Sequence, residues 1–242
     1  MTGNSSLPEI SARLQQRFPD AKYALDFSNP LELLVGTILA SQCTDERVNA
    51  LTKTLFVKYP DADAYAQAPL DELTLDLKPA GMAAQKAKAI QGAAKEIVST
   101  FNGAVPRTMD EMLTLPGVGR KSANVVLVTA YRISSGVIVD THVRRLAQRI
   151  GFSLHDDPDA IELDLKAVIP EADWLWWSAA LILHARETCP AKKPRCSECF
   201  IADLCPKLGT GNEAASRETA APSKSAPLKK TVKRSSADDD PF

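Results

Sequence analysis

Leu115-Pro116-Gly117-Val118-Gly119-Arg120-Lys121-Ser122 is the stretch on which the fold turns. A short helix, Met109 to Thr114, is expected to run into it, and Ala123 to Tyr131 to run out as another. Two glycines two residues apart let the chain reverse tightly and turn successive backbone N–H groups outward. The N-terminus of the following helix adds its positive dipole end. Gly117, Val118, Gly119 and Arg120 therefore read as a phosphate cradle that needs no particular base. A Gly-x-Gly turn alone is common between helices. LPGVG between two apolar helices is far more specific, and is the sequence form of a helix–hairpin–helix, which grips a nucleic-acid backbone.

Lys121 falls in the first turn of the outgoing helix. The macrodipole, the neighbouring Arg120 and any desolvation in a cleft all disfavour an ammonium there and favour the free amine. A neutral amine can attack a sugar C1′ and form a Schiff base. A lysine that merely contacts phosphate fits the local sequence equally well. Asp140 tips the balance. It stands in Gly136-Val137-Ile138-Val139-Asp140-Thr141-His142-Val143-Arg144-Arg145, an acid after an apolar segment and before a basic helix. Its first reading is an N-cap, and a capping carboxylate is also held rigidly enough for catalysis.

Outward from these stretches the pattern is helical. Pro8 suits the first turn of a helix with Ile10, Leu14 and Phe18 on one face. Asn29-Pro30 opens a largely buried one, and Asp45 is placed to cap a third carrying Val48, Leu51, Leu55 and Phe56. Gln85 to Phe101, Asp159 to Ile169 and Asp173 to Thr188 give three more. Gly136 to Val139 is the only short strand candidate. Beyond Leu208 the composition turns to Gly, Ser, Thr, Ala, Pro and Lys, so residues 209–242 are expected to form a disordered tail, basic and then acidic.

Four cysteines, Cys189, Cys196, Cys199 and Cys205, read C-x6-C-x2-C-x5-C. Four thiolates that close can reach one tetrahedral metal or the irons of a cubane cluster. Only Cys196 and Cys199 have the spacing of a zinc knuckle, so the uneven pattern favours a 4Fe–4S cluster over zinc. Two disulfides are disfavoured: Met1 to Ile10 shows no export signal, and Cys43 has no partner.

A chain of 242 residues, 45% hydrophobic and 24% charged, has the make-up of a globular protein of one or two domains. No apolar run approaches the ~18 residues of a membrane span, and a reducing, intracellular setting fits. The net charge of −1 argues mildly against a nucleic-acid partner, but its distribution does not. Six basic residues and one acid lie between Gly119 and Arg149, and seven acids and one base between Asp156 and Asp173. Such blocks give a basic face for phosphate opposite an acidic one, unless they are merely solvated helix faces.

LPGVGRKSANVV, VDTHVRR and the cysteine pattern, in that order, make the chain resemble the endonuclease III family of DNA glycosylases over about residues 7–207. The resemblance implies an all-α fold of two helical domains flanking a DNA-binding cleft. One is a six-helix barrel, residues 23–134, with the helix–hairpin–helix at about 109–131. The other is an iron–sulfur domain joining residues 1–22 to 135–208. It implies removal of oxidised pyrimidines from damaged double-stranded DNA, then β-elimination at the abasic site through a lysine Schiff base. It further implies a monomer with a 4Fe–4S cluster, without magnesium or membrane, on the nucleoid of a prokaryotic cytoplasm. By position, Lys121 takes the nucleophile's place and Asp140 that of the essential carboxylate. Gln42 matches the residue that fills the gap left by the flipped nucleotide, and Gly81-Met82 the loop that wedges the opposite strand. Lys192, Lys193 and Arg195 match a basic loop facing DNA. The chain departs from the family at Met82-Ala83-Ala84, where members often carry Leu or Phe and then an aromatic; the departure bears on lesion preference. Alternatives are a mismatch-directed thymine glycosylase, an adenine glycosylase, which typically lacks a lysine at position 121, and a non-catalytic iron–sulfur DNA-binding module.

Overall fold

The computed structural model describes residues 6–211, so the expected tail lies, from residue 212 onward, outside the described residues. Those residues form helices and loops with no strand among them. Helix α1 (Leu7–Arg17) starts on Pro8 and buries Ile10 and Leu14 one turn apart. Helix α2 (Pro30–Leu39) is capped by Asn29, whose side chain accepts from the Glu32 amide at 3.0 Å. Every residue from Leu33 to Leu39 is buried, which makes α2 the central helix of its core. Thr44 rather than Asp45 caps α3 (Asp45–Lys58), and Asp45 becomes its first residue. Helices α4 (Ala62–Gln67) and α5 (Leu70–Asp76) were not expected; each is too short for a periodic stripe and hangs on one large buried side chain, Tyr65 or Leu73. Helix α6 (Ala83–Phe101) carries the predicted stripe through Ile90, Ala94 and Ile97.

The hairpin follows as α7 (Met109–Met112) and α8 (Arg120–Thr129). Helices α9 (Thr141–Ile150), α10 (Pro158–Val168) and α11 (Trp174–Glu187) complete the chain before the cysteine loop. The buried side chains fall into two hydrophobic cores. One runs from Leu25 through α2–α8; the other gathers Ile10 and Leu14 of α1 with α9, α10, α11 and Ile201.

The strand candidate at Gly136–Val139 is a correction. The segment is extended but pairs with no other strand; the Ile138 amide bonds to the Ser178 hydroxyl at 3.0 Å instead. Its alternation has a different cause, because Val137 and Val139 enter one core and Ile138 enters the other.

A polar interlock holds the junction. Buried Glu162 of α10 accepts from Arg120 Nε at 2.7 Å, and a Cβ on Gly136 would meet Glu162 Oε1 at 1.8 Å. Ser135 meanwhile donates to Asn124 of α8 at 2.7 Å. The expected opposition of a basic and an acidic face is also corrected. Arg120 pairs with Glu162 and Asp159, and Arg144 with Asp156, so the two charge blocks partly neutralise each other.

Candidate active site and metal centre

The hairpin is seated on α6. Gly117 has φ of 77°, and a Cβ there would meet the Ala89 Cβ at 2.5 Å, so conformation and packing both require glycine. Gly119 differs: it is the N-cap of α8 with φ of −99°, and nothing stands within 4 Å of where its Cβ would be. Its bare backbone leaves room for an approaching group. Val118 is buried and its amide bonds to the Leu115 carbonyl, so it anchors the turn. The first amide to bond back into α8 is that of Ala123, to Gly119. The amides of Arg120, Lys121 and Ser122 therefore have no intrahelical partner. The Arg120 side chain, expected to face DNA, is held by Glu162, and its backbone N–H is the part that remains presented.

Lys121 and Asp140 line one cavity, together with Tyr23, Leu25, Asp45, Val125, Ile182 and Arg186. Lys121 is the second residue of α8, and Asp140 is the N-cap of α9. The Asp140 Oδ1 accepts from the amides of His142 and Val143, both at 2.8 Å. That fixes the carboxylate through a single oxygen. Across it, Arg186 of α11 reaches Asp45 at 2.8 Å, a bridge between the two cores.

Gln42 and Met82 are both exposed, and both hold left-handed backbone, φ 53° and 50°. Such conformations are uncommon for non-glycine residues and persist only where the surroundings enforce them. Beside both turns lies Lys86, which is buried and donates to the Leu39 carbonyl and the Ala80 carbonyl, each at 2.8 Å. One side chain thus ties the base of the Gln42 turn to the base of the Met82 turn. Burial lowers the Lys86 pKa.

The four cysteines line a second, small cavity. No three His, Cys, Asp or Glu side chains among the described residues are arranged to hold a single ion; the cysteines surround a space rather than converge on a point. Burial raises the thiol pKa of Cys199, and pushes that of Cys205 up to about 11, with the neighbouring thiols adding to both. Bound iron removes that penalty by taking thiolates as ligands. N–H donors are already aimed at the sulfurs: Arg149 at Cys189 Sγ, 3.2 Å, and the Lys207 amide at Cys205 Sγ, 3.4 Å. Buried Arg149 also donates to the carbonyls of Pro190 and Ala191, at 2.8 and 2.9 Å. The loop so anchored carries Lys192 and Lys193 exposed, with Arg195 near Glu198 at 3.4 Å. The residues present fit an iron–sulfur cluster.

Sequence reasoning missed Tyr23, Lys86, Arg149 and Arg186. None sits in a motif, and each acts across a large sequence separation. The one available signal was the VDTHVRR helix, whose basic residues continue to Arg149.

Residues 35–171 match the family model described as HhH-GPD superfamily base excision DNA repair protein, and residues 187–205 match the iron-sulfur binding domain of endonuclease III. The chain belongs to the HhH-GPD superfamily of base excision repair proteins, and within it to the endonuclease III family. Endonuclease III of Synechocystis sp. is 50% identical over 198 residues, 82% of this chain and 90% of its own. That of Bacillus subtilis is 43% identical over 194 residues, 80% and 88%. A solved trapped endonuclease III–DNA covalent intermediate superimposes with a TM-score of 0.81 at 38% identity, over 86% of this chain and 97% of that one. The protein is thus a DNA-binding, iron–sulfur enzyme of base excision repair, a DNA glycosylase and abasic-site lyase. Oxidised pyrimidines are the bases that endonuclease III enzymes remove.

Proposed function

We propose that Lys121 is the nucleophile and Asp140 the carboxylate that supports it in removing an oxidised pyrimidine from duplex DNA. One observation carries this reading: the two side chains reach the same cavity from the N-termini of two helices in different cores. The amides of Arg120, Lys121 and Ser122, beside the bare backbone of Gly119, grip a phosphate and set the register. The damaged nucleotide leaves the stack, which costs least where pairing is already weakened. Gln42 fills the gap and Met82 wedges the opposite strand. The Lys121 amine forms a bond to C1′ as the bond from C1′ to the base breaks. Asp140 faces the positive charge developing on the sugar and takes the proton released by the amine. The Lys121 nitrogen then expels O4′, which takes the proton held by Asp140, and the opened sugar is left as a Schiff base on Lys121. Loss of a C2′ proton then expels the 3′ phosphate and cuts the strand. No step calls for magnesium.

Cys189, Cys196, Cys199 and Cys205 would hold the cluster, and a ring of thiols around a cavity suits the 4Fe–4S form. When bound it cross-links the loop that presents Lys192, Lys193 and Arg195 to the DNA backbone. We read the two cores as two domains, residues 23–134 and residues 1–22 with 135–208, with Ile138 reaching from the second into the first core. The enzyme works as a monomer on the nucleoid of a prokaryotic cytoplasm, in keeping with its bacterial relatives. No helix among the described residues is long and apolar enough to cross a membrane.

Borohydride reduction tests the chemistry. Wild type should give a covalent adduct with a duplex bearing an oxidised pyrimidine. Lys121→Gln should lose both adduct and strand cleavage yet still bind, because the hairpin amides remain. Trapping at wild-type yield by that variant would put the nucleophile elsewhere.

A further inference from the structure

Tyr23, in the loop between α1 and α2, packs against both cores and lines the cavity that holds Lys121 and Asp140. Its hydroxyl is buried with no hydrogen-bond partner. Of the buried side-chain atoms without a partner among the described residues, it alone belongs to a residue lining this cavity; Tyr65, Thr129, Arg145 and His184 lie elsewhere. The charges acting on the hydroxyl are those of Asp140, Asp45 and Arg186. All three line the same cavity as Tyr23, and in the free protein the hydroxyl itself is covered. A buried hydroxyl left unpaired is destabilising and calls for an explanation. A partner that arrives with the substrate supplies one.

The cavity's other groups narrow what that partner is. Asp140 and Asp45 are acceptors. Arg186 is engaged by Asp45, and Lys121 is committed to the sugar carbon. Leu25, Val125 and Ile182 offer only apolar surface. Thr37 already donates to the Leu33 carbonyl at 2.7 Å, and Lys22 brings a cation, so Tyr23 is the uncommitted neutral donor. Burial first, then the charges of Asp140 and Asp45, push its pKa well above the usual phenol value, so it stays protonated and donates. A pyrimidine ring presents carbonyl oxygens, which accept. The ring gains negative charge as its bond to the sugar breaks, and a donor aimed at it then binds more tightly.

We infer that the Tyr23 hydroxyl is a substrate-contacting group that donates a hydrogen bond to a carbonyl oxygen of the expelled base. It therefore assists base removal and not cleavage at a site whose base is already gone. The inference rests on the glycosylase reading of the Lys121 cavity. Tyr23→Phe separates the two steps, using the full-length, iron-loaded protein under single-turnover conditions. One substrate is a duplex with a single dihydrouracil, the other a duplex with an abasic site. Base release should fall about tenfold, abasic-site cleavage should hold within about twofold, and the thermal midpoint should stay level or rise, because an unpaired buried hydroxyl has been removed. An equal loss on both substrates, or no loss on either, would overturn the assignment. A wild-type protein that cuts the abasic duplex but releases no base from lesion duplexes would instead sink the glycosylase reading itself, and Tyr23 with it.

Discussion

On the proposed mechanism Asp140 both caps a helix and serves the chemistry. Oδ1 holds the His142 and Val143 amides, and the residue lines the cavity that contains Lys121. Asp140→Asn keeps an oxygen for the cap and removes the charge. Turnover should fall ~10²-fold or more while stability changes by only ~1 kcal/mol; a loss of activity that merely tracks the unfolded fraction would make Asp140 a cap alone. Lys86 invites the opposite experiment. Lys86→Met leaves the Leu39 and Ala80 carbonyls buried without their donor, a loss of about 2–4 kcal/mol. Amide exchange should then quicken at residues 40–44 and 80–84 together; protection lost at only one of the two turns would show that they are not coupled through this side chain. Lys121 and Asp140 could be proposed from the sequence because each belongs to a short motif, and the structure brings both to one cavity. Tyr23, Lys86 and Arg186 were not, because a tyrosine hydroxyl or lysine amine acquires its role from distant chain that packs around it. The left-handed backbone at Gln42 and Met82 carries no compositional mark either, since neither residue is a glycine.

At the level of elements, the two hairpin glycines separate cleanly. Gly117→Ala forces a side chain onto Ala89 at a positive φ and should destabilise the fold by about 2–4 kcal/mol. Gly119→Ala meets open space at ordinary backbone angles and should cost about 1 kcal/mol or less. Its methyl group occupies the approach to the α8 amides, so DNA affinity should fall far more than stability. Urea melts beside DNA titrations would show this; equal damage to both by Gly119→Ala would remove the bare backbone from the contact. The sequence marked both glycines alike, because a Gly-x-Gly spacing does not say which position turns the chain and which stands clear. Long amphipathic helices such as α6 were readable from their stripe. Helices α4 and α5 were not, having six and seven residues and a single large buried anchor each.

Across the whole molecule, internal pairing removes much of the charge asymmetry that the sequence displays. Arg120 and Arg144 answer acids on and before α10. Lys192 and Lys193, exposed on the cysteine loop, make no ion pair among the described residues. Replacing both with Ala should lower the slope of log affinity against log salt by up to about 2 and leave adduct yield at saturating DNA unchanged; an unaltered slope would take this loop off the DNA. The extended run through Val137, Ile138 and Val139 has a mechanical consequence. Its side chains alternate between the two cores like the teeth of a closed zip. Prising the cores apart would draw at least one of these residues into water, at about 1.5–3 kcal/mol each. Opening between the cores is therefore resisted, and a duplex that yields to the enzyme spares that cost. Intact helix resists that demand, whereas a lesion that has loosened its own stacking gives way. Damage is then felt as softness before it is recognised as chemistry.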